Sequence, residues 1–340
     1  MTFRTIIKRS LLAITMVAGG IVSACSGAVP TPTPTAQAVS STSLPGTTVE
    51  SPTVHTLRVS PTASPTLLPT DTQAAALAPT ATSTPSPLPT PTFDPASWQN
   101  LPIIPAASDT QRKIYARGQE LGNNPYGFSK IGDCETAAPW FLGDYDLKPD
   151  QYSLGPYTNL QPVIQQFAGS FERTSLAARI GFNAASVLNP IWTDTKQCRP
   201  DETPLACEYR VERPSYAFIL LGTNDVYHPA TFEANLRKII EYSIQQGVIP
   251  ILATKASNLE GDHSINITIA RLAYEYNLPL WNFWLAVQPL PSTGLQPDHA
   301  HLTWAPNFFD NPAYMKSGWP IRNLTALQTL NAIWQGVAGQ

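Results

Sequence analysis

The chain has 340 residues, and 21 Lys and Arg stand against 24 Asp and Glu for a formal net charge of −3. That balance excludes the strongly basic surface of a nucleic-acid-binding protein. The 34 prolines and the charged fraction of 13% are weighted by one Pro-rich stretch, so they do not describe the folded part. No internal repeat of fixed period is present.

Residues 1–25 have the layout of a targeting segment. Arg4, Lys8 and Arg9 form a basic start, and residues 11–22 form an apolar core too short for a convincing membrane span. The segment ends in Val22-Ser23-Ala24-Cys25, which resembles a bacterial lipobox. In lipoproteins of that type the chain is cut before the cysteine and its thiol is lipidated. The resemblance therefore makes Cys25 the lipidation site and anchors the mature protein to the membrane at the cell surface. An ordinary secretory signal cut nearby is the other reading. Both place the mature chain outside the cytoplasm.

Residues 26–98 are dominated by Pro, Thr, Ser and Ala, as in Pro30-Thr31-Pro32-Thr33-Pro34-Thr35. Such a composition buries too little apolar surface to offset its ordering entropy and reads as an extended, semi-rigid linker. Residues 99–340 remain as one domain of ordinary enzyme size.

Within that domain, residues 128–131 read as a short strand interrupted by Ser129 and Lys130. Residues 135–142 begin a helix that meets Pro139, and residues 160–167 are a second helical candidate. Residues 175–188 are ambiguous. Residues 216–221 are an apolar strand. Residues 229–246 carry Phe232, Leu236, Ile239, Ile240 and Ile244 at helical spacing, with Gly247 as the C-cap. Residues 248–253 are the next strand, where Pro250 points to a strand start or an edge-like position. A helix over 265–276, a strand over 278–283 and a terminal helix over 323–334 complete the order. Strand and helix alternation predicts an α/β fold: a three-layer sandwich around a central, mostly parallel sheet of flavodoxin-like type. In such sheets, sites gather beyond the strand C-termini.

If Cys25 is lipidated, three thiols remain, Cys134, Cys198 and Cys207. Cys198 and Cys207 flank a proline-containing loop and are the natural disulfide pair in an oxidising compartment. Two other pairings, each using Cys134, stay open.

Three short motifs lie at predicted strand ends or in a following loop. These are Ile131-Gly132-Asp133-Cys134, Gly222-Thr223-Asn224-Asp225 and Asp298-His299-Ala300-His301. An acyl-transfer site needs a nucleophile, a base, an orienting group and oxyanion donors. Cys134, His301 and Asp298 supply the first three. Asp133 also suits a turn or helix cap. His299 is a competing base, and His228 suits either the pocket lining or the surface. Glu260, Asp262 and His263 suit a polar, cap-rich loop better than a metal set, and no metal or cofactor is expected.

In this order the motifs resemble the SGNH (GDSL-type) hydrolase family over residues 128–303. The departure is at the reacting atom, where this chain has Cys134 in place of the family's serine. The resemblance implies Cys134, Gly181 and Asn224 as oxyanion donors, and Asp298 and His301 as the nucleophile's partners. Residues 179–183 match the family's second motif only loosely. The expected activity is hydrolysis or transfer of acyl esters, on carbohydrate O-acyl groups or lipid esters. A non-catalytic module of the same fold that binds a cell-surface glycan or another extracellular ligand is the alternative. A surface protein defined mainly by its stalk is the third reading. The oligomeric state is left open.

Overall fold

A computed structural model of the chain describes residues 93–147 and 149–338. The readings of residues 1–25, of Cys25 and of the linker up to residue 92 lie outside the described residues. In chain order the elements are α1 (Asp109–Glu120), β1 (Asn124–Gly132), α2 (Cys134–Ala137), β2 (Tyr152–Ser153), α3 (Gln161–Gln166), α4 (Pro204–Glu212), β3 (Pro214–Leu220), α5 (Pro229–Gln245), β4 (Ile249–Ala253), α6 (Ser264–Glu275), β5 (Leu280–Trp281), α7 (Phe283–Val287), β6 (Asn307–Phe308) and α8 (Gly318–Ala338).

β1, β3, β4 and β5 form one parallel sheet in that order, and β2 pairs with β6 separately. Ala178 bridges Gly132 on the outer side of β1. A short extended segment thus fills the place beside β1, giving the strand order of a flavodoxin-like sheet. On one face α1, α3 and α8 pack together, and Tyr216 of β3 meets Tyr115 of α1 and Phe167 at the end of α3. On the other face the Tyr209 hydroxyl and Ser243 Oγ share a hydrogen bond of 2.8 Å between α4 and α5, and α6 packs on α5. The architecture is a three-layer α/β sandwich.

β3 is buried along all its residues, as expected of a central strand covered on both faces. β1 is longer than residues 128–131 and keeps two polar residues inside. Ser129 Oγ donates to Glu208 Oε1 at 2.6 Å, and Lys130 Nζ donates to the Phe171 carbonyl at 2.8 Å. Burial drives the Lys130 pKa down to about 8, and the nearby Arg173 adds to that shift. These partners make the polar residues tolerable in a buried strand. Pro250 is the second residue of β4 and lies opposite Ala217, ahead of the Leu252 and Ala253 pairing with β5. Its missing N–H therefore disrupts no bond to β5.

Packing reaches upstream of residue 99. Trp98 is only 2% exposed and packs against Trp284, so the last linker residues belong to the fold. The terminal helix starts at Gly318 rather than residue 323, because Pro320 lies in the first turn, where no intrahelical N–H bond is lost. Among the described residues, no helix is long and apolar enough to cross a membrane.

Candidate active site

The C-terminal ends of the sheet strands set the site. Gly132 ends β1, and its register partner Leu220 ends β3. A Cβ at Gly132 would collide with the Leu220 carbonyl oxygen and the Thr136 hydroxyl, so the close approach of the two strand ends requires glycine. Gly222 turns the chain after β3 with a φ of +129°, a region that also favours glycine.

Asp133 is the N-cap of α2, its Oδ1 accepting from the Glu135 N–H at 3.1 Å. This is the cap role expected of it. α2 is short because Ala138, ahead of Pro139, adopts extended backbone. Cys134 opens α2 and is partly exposed. The disulfide joins Cys198 and Cys207, with Cα atoms 5.4 Å apart, and leaves Cys134 as a thiol.

Cys134 Sγ lies 3.8 Å from His301 Nε2, and His301 Nδ1 lies 2.5 Å from Asp298 Oδ2. Asp298 Oδ1 accepts from the backbone N–H groups of Ala300 and His301, each at 3.1 Å. Burial pushes the Asp298 carboxyl upward, but the hydrogen bonds from His301 and Ala300 outweigh it and hold the group below its usual value. A carboxylate on Nδ1 leaves Nε2 facing the thiol, which is the orientation needed for proton transfer. His299 adopts a left-handed backbone conformation and is exposed, and the imidazole facing Cys134 belongs to His301. His228 is exposed.

The Gly181 loop lies beside this pair. Arg179 N–H donates to the Gly132 carbonyl at 3.1 Å, which holds the loop against the end of β1. Asn224 Nδ2 donates to the Phe182 carbonyl at 2.9 Å, and Asp225 Oδ1 accepts from the Ala184 N–H at 2.9 Å. Asn224 and Asp225 thus tie this loop to the β3 turn. An amide nitrogen carries two hydrogens, so the Phe182 bond uses only one of the donors on Asn224. Burial raises Asp225 to about 6, against the hydrogen bonds from Ala184 and Gly222. Its Oδ2 is buried without a hydrogen-bond partner.

Four residues that sequence reasoning left unassigned shape the surroundings. Glu135, next to Cys134, accepts through Oε1 from the Leu302 N–H at 2.8 Å, and its Oε2 lies 3.6 Å from Arg322 Nη1. The residue after Cys134 therefore clasps the residue after His301. Burial raises Glu135 to about 7, with Arg322 opposing the shift. Arg322 is buried, its guanidinium 4.8 Å from the Phe141 ring centre and 5.4 Å from that of Phe283. A lone charge in the otherwise uncharged α8 was the available signal for it. Trp140 and Trp304, which follow Cys134 and His301 in the chain, border a groove. A narrow polar pocket lined by Asp133, Glu135, Lys255 and Arg322 lies at the strand ends.

Glu260 is engaged by the Lys255 ammonium rather than by a metal set with Asp262 and His263. Among the described residues, the grouping with metal-ligand spacing is Cys198, Glu202 and Cys207, whose thiols are spent in the disulfide.

No protein-family model matches the chain, and no curated protein matches it at a significant level.

Proposed function

We propose that the domain is an SGNH-type hydrolase that cleaves acyl esters through Cys134, held outside the cytoplasm by a lipid on Cys25. The observation that carries this reading is the Cys134–His301–Asp298 relay at the strand C-termini. In the first step Cys134 Sγ attacks the ester carbonyl carbon while His301 Nε2 takes the thiol proton. Asp298 holds the imidazole and stabilises the imidazolium. The tetrahedral oxyanion is met by Asn224 and by backbone N–H groups of Cys134 and Gly181. Collapse breaks the ester C–O bond, and the alcohol leaves with the proton from His301. Water then attacks the thioester as His301 takes its proton, and the acid departs as that proton returns to sulfur.

A thiol is more acidic than a serine hydroxyl and activates more readily. Cys134→Ala removes the reacting atom, so turnover of a panel of acyl esters falls to background while the fold is kept. Full activity in that variant rejects the covalent mechanism. For the anchor, Cys25→Ala moves the protein from the membrane to the soluble fraction. Unchanged retention together with unchanged processing rejects lipidation at this position.

A further inference from the structure

The segments that follow Cys134 and His301 in the chain border a groove with two contrasting surfaces. Trp140, 43% exposed, and Trp304, 62% exposed, border it together with Trp319 and Phe308. The Trp140 and Trp319 rings are nearly perpendicular, with centres 5.9 Å apart. Two indoles left this open on one groove are an unusual expense for a soluble surface.

The floor is polar and preset. Asn307 Nδ2 donates to Asp144 Oδ2 at 2.7 Å, and Asn323 Nδ2 donates to Asn307 Oδ1 at 3.1 Å and to the Trp140 carbonyl at 2.9 Å. Asn307 and Asn323 are both buried. Asp144 keeps its other carboxylate oxygen outside this network. Among the described residues, neither Asp144 nor Asp150, which also lines the groove, pairs with a cation.

This combination selects among ligands. Two carboxylates that no cation among the described residues pairs with repel an anionic headgroup or an acidic polymer. A fatty acyl chain would cover the Asp144 carboxylate without replacing its lost water contacts. A quaternary ammonium suits the rings and is drawn to the carboxylates but gives Asp144 no N–H hydrogen bond, which makes it the competing ligand in the test. A pyranose ring meets both surfaces: its C–H face lies flat on an indole, and its edge hydroxyls donate to carboxylate and amide oxygens. The groove volume of about 280 Å³ is on the scale of a small ligand.

We infer that the Trp140–Trp304 groove is a subsite for a neutral saccharide ring. Trp304 stacks on the ring, and Asp144, fixed by Asn307, accepts from its hydroxyls. The segments bearing the two indoles also bear Cys134 and His301, so a seated sugar brings its O-acyl group toward the thiol. The inference rests on the acyl-ester reading for that last step only. Binding itself needs no turnover.

The test is therefore equilibrium binding to the Cys134→Ala full chain, followed by titration calorimetry with cellotetraose, xylotetraose, mannotetraose and chitotetraose, and with choline chloride as a control. At least one tetrasaccharide binds. Trp304→Ala weakens it by about tenfold or more, Trp304→Tyr restores most of the affinity, and Asp144→Asn weakens it several-fold. The inference is overturned if no tetrasaccharide binds, if binding ignores Trp304, or if choline alone binds. A failed esterase assay with intact saccharide binding would reject the catalytic reading and leave the subsite standing.

Discussion

β1, which delivers Cys134, is buried over its last six positions, whereas the loop that delivers His301 leaves Gln296, Pro297, Asp298 and His299 at the surface. The first position is fixed by packing: Gly132 is wedged against the end of β3, and Asp133 caps the turn that follows. The second is fixed by local bonds. Gln296 N–H donates to the His301 carbonyl at 2.7 Å, Thr303 N–H to the Gly294 carbonyl at 2.8 Å, and Asp298 gathers two backbone N–H groups. A buried strand resists displacement because moving it disrupts close packing. An exposed loop opens at lower free energy. The site thus sets a firmly packed Cys134 against a His301 whose position depends on hydrogen bonds, and Glu135, beside Cys134, reaches across to the Leu302 N–H.

The comparison breaks most severely at the base. His301→Ala removes the proton acceptor and lowers kcat/KM by about 10²–10⁴-fold, with the fold kept, because the side chain is not part of the core. Steady-state kinetics with circular dichroism checks this, and a loss below about tenfold would assign the base elsewhere. Asn224→Ala touches the rigid side, removing the proposed oxyanion donor and the tie to Phe182. A loss of about 10²–10³ in kcat, with KM little changed, is expected. A pure KM effect would make Asn224 a ground-state binding residue.

Glu135→Gln is the finest probe. The isosteric amide still accepts from Leu302 N–H, so activity falls by no more than about tenfold, but the pH dependence of stability changes. Glu135 has its pKa raised by burial to about 7, so the folded chain takes up a proton there. The stability held by the protonated form is complete below the ordinary glutamate range and is lost as pH rises through 7. Melting temperatures of the parent should therefore fall between about pH 4.5 and 7 more steeply than those of Glu135→Gln. Parallel curves would show that Glu135 is ionised throughout.

Much of the frame was legible because its signals are local. The apolar run of β3 and the helical spacing of α5 each specify an element without reference to distant residues, and the observed bounds differ from the expected ones by only a few positions. β1 was harder to read. Ser129 and Lys130 look like interruptions until Glu208 and the Phe171 carbonyl, far along the chain, supply their partners. Trp98 reads as linker for the same reason, since its burial depends on Trp284.

The site divides similarly. Asp298 and His301 are three residues apart, so their pairing could be anticipated from spacing, and Gly222 marks a turn wherever it stands. The Glu135–Leu302 clasp and the Arg322–Phe141 contact join residues more than 160 positions apart. No short-range pattern encodes such contacts. The groove between Trp140 and Trp304 was hidden likewise, because each indole alone reads as core or rim.

The central claim is that Cys134 carries the acyl group, and intact-protein mass spectrometry of an acid-quenched reaction with p-nitrophenyl acetate tests it directly. The account predicts a gain of one acetyl group, mapped by peptide sequencing to Cys134 and absent from Cys134→Ala. Sustained ester turnover with an unmodified Cys134, or an acetyl group that persists in Cys134→Ala, would contradict it.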